Sequence, residues 1–94
     1  MRLLGRSAFI TGAAKGIGLS VARAFSKEGA TVALADMSGD EAIRQASEIE
    51  SETGNRAFGI ECDVADKQSV ENAIEKAADT FGAIDTLACM AATM

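Results

Sequence analysis

Three glycines near the amino terminus have a spacing that suits the binding of a phosphorylated ligand. Gly12, Gly16 and Gly18 follow a short apolar run and stand where a helical pattern begins. Gly12 permits a tight turn, Gly16 lets the backbone approach a pyrophosphate, and Gly18 lets the helix pack close to a sheet. The N–H groups of the first helical turn would then face an anion. A glycine-rich turn without a ligand is the alternative, whereas a P-loop is excluded because Lys15 is followed by Gly16 and not by Ser or Thr.

Two carboxylates follow later apolar runs at similar places. Asp36 ends the second run, 18 residues after Gly18, and Asp63 with Val64 ends the third. A carboxylate at Asp36 can accept hydrogen bonds from both hydroxyls of a ribose, although a solvated acid at a strand end has the same pattern. Ligands of open parallel sheets bind outside the carboxyl ends of the strands. We therefore expect Gly12, Asp36 and Asp63 to converge on one edge.

The elements that would position these residues alternate regularly along residues 1–94, which we expect to form a single, partial domain. The pattern predicts strands over residues 7–11, 31–35 and 57–62, and a fourth within the apolar run 84–92. One helix begins at Ile17 and stops before Gly29, with an apolar stripe of Ile17, Val21, Ala24 and Phe25. The second runs from Asp40 to Thr53, with Ile43, Ala46 and Ile49 on one face. The third follows the N-cap Asp66, carries Val70, Ala73, Ile74, Ala77 and Phe81, and ends at Gly82.

This alternation indicates an α/β fold. Apolar strands joined by helices form a Rossmann-like parallel sheet with helices on both faces, here in the order 3-2-1-4 and cut after the fourth strand. Cys62 and Cys89 would then be three strand spacings apart, roughly 14 Å, too far for a disulfide within one molecule. Without a partner His or a CxxC spacing they make no metal site, and we expect buried thiols.

Composition narrows the range of partners and locations. The net charge is −5 and no cluster of Lys or Arg is present, which argues against a nucleic acid partner. No signal peptide or membrane-spanning stretch is evident, so a cytoplasmic protein without a membrane partner is expected.

The glycine turn and the two acids together resemble the short-chain dehydrogenase/reductase family, in its compact, non-extended branch. The resemblance extends over residues 4–92 and depends on Thr-Gly-x-x-x-Gly-Ile-Gly, Asp36 and Asp63-Val64. It implies that the diphosphate of a dinucleotide cofactor is surrounded by Gly12, Gly16, Ile17 and Gly18. It also implies that Asp36 binds the adenosine ribose and Asp63 the adenine amino group, with the Val64 backbone nearby.

The resemblance implies the cofactor-binding, N-terminal half of an oxidoreductase that moves hydride between NAD(P) and an alcohol or ketone. Two departures from the family stand out. Cys89-Met90-Ala91-Ala92 replaces the usual Asn-Asn-Ala-Gly, and the chain contains no Tyr, whereas the family uses a Ser and a Tyr-x-x-x-Lys beyond the fourth strand. No catalytic residue is therefore predicted, and the chain alone is expected to be inactive. A non-catalytic nucleotide-binding or interaction module is the alternative function, and a degenerate fragment without cofactor affinity is another.

Two residues make opposite contributions to the choice between NAD and NADP. Lys15 stands where a basic residue in this family often meets the 2′-phosphate of NADP, and Asp36 would repel that phosphate. At about 4 Å and an effective dielectric near 20, each charge pair contributes roughly 4 kcal/mol before screening. Asp36 also gains hydrogen bonds when the 2′ group is a hydroxyl, whereas the long Lys15 side chain can turn to solvent. NAD is therefore the favoured cofactor.

The fourth strand suggests a further partner. Residues 87–92 are apolar without alternation, which is typical of a strand paired on both sides. In the order 3-2-1-4 this strand has one neighbour, and no Lys or Pro protects its other edge. The isolated chain is therefore expected either to associate with itself through that edge or to be only marginally folded.

Overall fold

Strands and helices alternate through the computed structural model, which describes residues 6–14, 16–63, 65–82 and, for their backbone only, 86–89. The strands are β1 Ser7–Thr11, β2 Thr31–Asp36, β3 Ala57–Glu61 and β4 Thr86–Cys89. The helices are α1 Gly16–Lys27, α2 Gly39–Thr53 and α3 Lys67–Phe81. Lys15, Val64 and residues 90–92 of the sequence analysis lie outside the described residues.

The sheet is parallel throughout and has the order β3-β2-β1-β4, as predicted. Its register sets Thr11 opposite both Ala35 and Cys89, and Asp36 opposite Glu61. The carboxyl ends of the four strands therefore lie at one edge, and the segments that follow them meet there.

Successive strand residues point to opposite faces of the sheet, and each face is covered by helices. On one face α1 and α2 pack against a buried cluster that includes Ile10, Val32, Leu34 and Ile49. On the other face α3 packs against Phe9, Ala33, Ala35 and Cys62 through Ala73 and Ala77. Helices on both faces and the burial of Cys62 are as predicted, while the side chain of Cys89 lies outside the described residues.

The predicted apolar stripe of α1 is right for Val21 and Phe25, which pack partly buried against the core cluster, and wrong for Ile17 and Ala24. The buried residues are Gly18, Ala22 and Ser26, whereas Ile17 is 75% exposed and Ala24 is also exposed. Small residues on the inner face allow the helix axis to approach the sheet closely, while Val21 and Phe25 pack partly buried against the same cluster.

The predicted face of α2 is also wrong at one position. Ala42, Ala46 and Ile49 are buried, but Ile43 is 56% exposed. The cause lies in β3, because a Cβ on Gly59 would overlap the backbone of Ala42. The absence of a side chain at Gly59 lets α2 press its backbone onto β3 at Ala42, and Ile43, about 100° further round the helix, faces outward.

Polar groups fasten the carboxyl ends of α1 and α2 to each other. The hydroxyls of Ser26 and Thr53 share a hydrogen bond of 2.7 Å, and the Asn55 side-chain amide donates to the Ser26 carbonyl at 2.7 Å. Ser26 is fully buried, so Thr53 satisfies a hydroxyl that would otherwise be costly to bury.

Candidate functional site

The glycine turn follows β1 directly and is anchored to β2. Gly12 and Gly16 adopt left-handed backbone conformations, with φ of 63° and 66°. Between them, the Ala13 N–H donates to the Ala35 carbonyl over 3.2 Å. The chain thus turns sharply off the end of β1 and stays attached to the neighbouring strand before α1 begins.

Gly18 allows the first turn of α1 to touch this glycine turn. A Cβ on Gly18 would overlap the Gly12 carbonyl oxygen, and it would lie 2.8 Å from the Gly12 carbonyl carbon and 3.1 Å from the Ala13 Cα. The sequence predicted that Gly18 permits close packing on the sheet. In the structure the close approach is to the backbone at the end of β1.

The first turn of α1 has the features of an anion site. It contains no acidic residue, so no carboxylate within the turn itself offsets its N–H groups or the positive end of the helix dipole. Gly16 is exposed, and a Cβ added there would meet nothing within 4 Å. The side chain of Ile17 projects into solvent beside it. A diphosphate fits this arrangement, because bare backbone faces open space at the amino end of a helix.

Asp36 ends β2 with its carboxylate occupied on both oxygens. Oδ2 accepts a hydrogen bond from the Ala14 N–H at 3.2 Å, and Oδ1 accepts one from the Ser38 N–H at 3.0 Å. The contact with Ser38 is an Asx turn, which Asp followed by Ser two residues later could have indicated. The contact with Ala14 spans 22 residues, and no local pattern points to it.

Asp63 is also held by hydrogen bonds. Its backbone N–H donates to the Ser69 hydroxyl at 3.0 Å, and its Oδ1 accepts from the Ala65 N–H at 3.0 Å. Three residues after Asp63, the Asp66 carboxylate caps α3 by accepting from the Gln68 N–H, as predicted. Ser69 therefore joins α3 to the end of β3, a role that the sequence analysis did not foresee.

The structure brings the glycine turn, Asp36 and Asp63 to the same edge of the sheet. Ala13 and Ala14 join the turn to the end of β2, and the Cys62 N–H donates to the Asp36 carbonyl at 2.8 Å, which joins β2 to the residue before Asp63. An open groove of about 960 Å³ continues beyond Asp63 between β3 and α3. Asp63 lines this groove, whereas Gly12, Gly16, Gly18 and Asp36 lie outside it.

Among the described residues, no group of three or more acidic, His or Cys side chains could hold a metal ion. Nor does any helix within them combine the length and apolar character that crossing a bilayer requires.

Comparison with known proteins identifies the family. A model of the short chain dehydrogenase family matches residues 6–94. The chain is 42% identical over 87 residues to a sorbitol dehydrogenase from Cereibacter sphaeroides, and 41% identical over 86 residues to a D-threitol dehydrogenase from Mycolicibacterium smegmatis. These matches cover 93% and 92% of this chain, but 32% and 33% of the two relatives.

The fold gives the same result. A crystal structure of a hydroxysteroid dehydrogenase from Escherichia coli superposes with a TM-score of 0.88 at 35% identity, over 94% of this chain and 37% of that one. The chain spans about a third of the length of the relatives it matches and corresponds to their N-terminal, cofactor-binding portion. The family uses NAD(P) cofactors. The chain belongs to the short-chain dehydrogenase family.

Proposed function

We propose that this chain binds NAD at the carboxyl edge of its sheet, as the cofactor-binding portion of an oxidoreductase that acts on an alcohol or ketone. The observation that supports it most strongly is the convergence of three features at that edge. They are the first turn of α1, which lacks acidic residues, and the carboxylates of Asp36 and Asp63. The names of the relatives, which include two polyol dehydrogenases and a hydroxysteroid dehydrogenase, support the class of reaction in the complete protein.

Each residue has a distinct task in this proposal. The diphosphate lies against the first-turn amides of α1, beside Gly16 and Ile17. Asp36 accepts hydrogen bonds from the adenosine ribose through the lone pairs that Ala14 and Ser38 leave available. Asp63, with Val64 after it, meets the adenine amino group. The bound cofactor supplies a nicotinamide ring that accepts or donates a hydride.

A matched pair of glycine substitutions tests the diphosphate site. Gly16 and Gly54 both have a positive φ, of 66° and 77°, and a Cβ at either would meet nothing within 4 Å. Gly16→Ala and Gly54→Ala should therefore carry similar backbone strain, of about 1–2 kcal/mol each. Only Gly16 lies at the proposed site, since Gly54 ends α2 near the opposite edge.

Calorimetric titration with NAD should show weaker binding for Gly16→Ala and nearly unchanged binding for Gly54→Ala. Equal NAD affinity in the two variants would show that no diphosphate lies against Gly16. The unfolding curves of both variants give the fraction of folded protein, with which the measured NAD affinities are corrected.

The preference for NAD over NADP is a second part of the proposal. The carboxylate of Asp36 would repel a 2′-phosphate and accept hydrogen bonds from a 2′-hydroxyl. Asp36→Ala should therefore narrow the ratio of the two dissociation constants, even if both cofactors bind more weakly. Calorimetry with NAD and with NADP measures this ratio, and tighter binding of NADP by the unmodified chain would contradict the preference.

We also propose that the 94-residue chain associates with itself through the outer edge of β4. Within the described residues β4 pairs only with β1, so the backbone groups along its other edge lack a strand partner. Light scattering and thermal unfolding over a range of protein concentrations test this. We expect a larger mass and a higher unfolding temperature at higher concentration, and a monomer that unfolds independently of concentration would contradict it.

A further inference from the structure

The Asp36 carboxylate joins two loops that are distant in sequence. Its Oδ2 accepts from Ala14 in the glycine turn, and its Oδ1 accepts from Ser38 in the segment between β2 and α2. Both contacts exist without any ligand. A residue whose only task was to meet a ribose would not need either of them.

The contact with Ala14 constrains the path of the glycine turn. Ala13 and Ala14 are buried, and their successive N–H groups both donate to the end of β2, at the Ala35 carbonyl and the Asp36 carboxylate. Because a buried N–H without an acceptor is costly, loss of the carboxylate would leave the Ala14 amide unsatisfied or force the turn to move. The turn between Gly12 and Gly16 is therefore held in place by Asp36.

We propose that Asp36 is a positioning residue that fixes the glycine turn and the β2–α2 loop to each other before the cofactor binds. This role is additional to its recognition of the ribose. It rests on the proposed function only where it concerns diphosphate affinity, because the two hydrogen bonds need no ligand.

An anion titration distinguishes the charge of Asp36 from its positioning role, because the two have opposite effects on the affinity for an anion. If Asp36 acted near the diphosphate through its charge alone, removal of a carboxylate would reduce repulsion and strengthen anion binding. If it positions the turn, its removal weakens anion binding even though the site becomes less negative. Inorganic pyrophosphate is the suitable probe, since it has no ribose.

Glu61 provides the matched control. It lies directly opposite Asp36 in the register of β2 and β3, at the same edge, and its side chain is exposed. Glu61→Gln removes one negative charge from the same region and leaves both Asp36 hydrogen bonds in place. We expect Asp36→Ala to bind pyrophosphate about tenfold more weakly than the unmodified chain, as loss of a charge-assisted hydrogen bond would produce. Glu61→Gln should bind it equally or more tightly, and equal or tighter binding by Asp36→Ala would overturn the proposal.

Amide hydrogen exchange in the absence of ligand tests the positioning role independently. Exchange of the Ala14 and Ser38 amides should accelerate about tenfold in Asp36→Ala and stay unchanged in Glu61→Gln. If Asp36→Ala does not fold, Asp36→Asn retains one acceptor oxygen, and at least one of the two amides should exchange faster. Unchanged exchange at both amides would overturn the proposal. Altered exchange in a chain that binds no pyrophosphate would leave the positioning role intact and contradict the proposed diphosphate site.

Discussion

Substitution of Gly18 by Ala should destabilise the chain, although alanine is the better helix former. A Cβ at this position would overlap the Gly12 carbonyl oxygen and lie 2.8 Å from the Gly12 carbonyl carbon, where ordinary contact begins near 3.4 Å. Both partners are backbone, so no side-chain rotation relieves the overlap and α1 must move away from β1. Overpacking of this kind costs about 1–3 kcal/mol, and the helix propensity of alanine returns about 0.5–1 kcal/mol. The net loss is roughly 1–2 kcal/mol, or about 5–15 °C in the unfolding temperature of a domain of this size.

Thermal and urea unfolding followed by circular dichroism measure this loss. Ala24→Gly, at an exposed position of the same helix, gives the propensity contribution separately, and it should cost about 0.5–1 kcal/mol. The free energy that Ala24→Gly loses, added to the free energy that Gly18→Ala loses, then gives the cost of the overlap. Stability of Gly18→Ala equal to or greater than that of the unmodified chain would refute the close approach of α1 to the glycine turn.

Three other expectations concern single contacts and activity. Ser69→Ala removes the acceptor for the Asp63 N–H and should lower the free energy of unfolding by about 1 kcal/mol, which chemical denaturation measures. The same substitution should weaken the binding of AMP, which titration measures. Thr53→Val leaves the buried Ser26 hydroxyl without its partner and should lower the free energy of unfolding by about 1–3 kcal/mol. The double variant with Ser26→Ala should recover part of that loss, as measured by urea unfolding. The purified 94 residues, which include no Tyr and no His, should not oxidise NADH with any ketone in a spectrophotometric assay.

The sequence was sufficient to predict the sheet order and the edge at which the candidate site lies. Parallel strands, right-handed crossovers and a glycine turn after β1 leave few arrangements, and β3-β2-β1-β4 is the one observed. The N-cap at Asp66 was also predictable, because a capping carboxylate acts within a few residues of its own position.

The helix faces were harder to predict, for a physical reason. Periodicity of large apolar residues favoured Ile17 and Ile43 as buried, whereas the structure buries Gly18 and Ala42 beside them. Where the opposing backbone comes close, as at Gly59, small residues fill the interface and large ones are excluded from it. Such an approach depends on two segments together, and neither segment alone indicates it.

Contacts between distant segments could not be predicted from the sequence either. The bond from the Ala14 N–H to Asp36 and the pair of Ser26 with Thr53 join residues more than 20 positions apart. Their types, an alanine amide and two small hydroxyls, are common in any helical protein. They meet only because the fold brings the glycine turn to the end of β2 and the end of α1 to the end of α2.

Titration of the ¹⁵N-labelled chain with NAD, followed by the amide signals, tests the central claim most directly. We expect saturable binding with the largest shifts at the ends of β1, β2 and β3, including Gly12, Gly16, Ser38 and Asp63. Residues at the opposite edge, such as Thr31 and Gly54, should shift little. Absence of saturable binding at millimolar NAD, or shifts centred on that opposite edge, would contradict a dinucleotide site at the glycine turn.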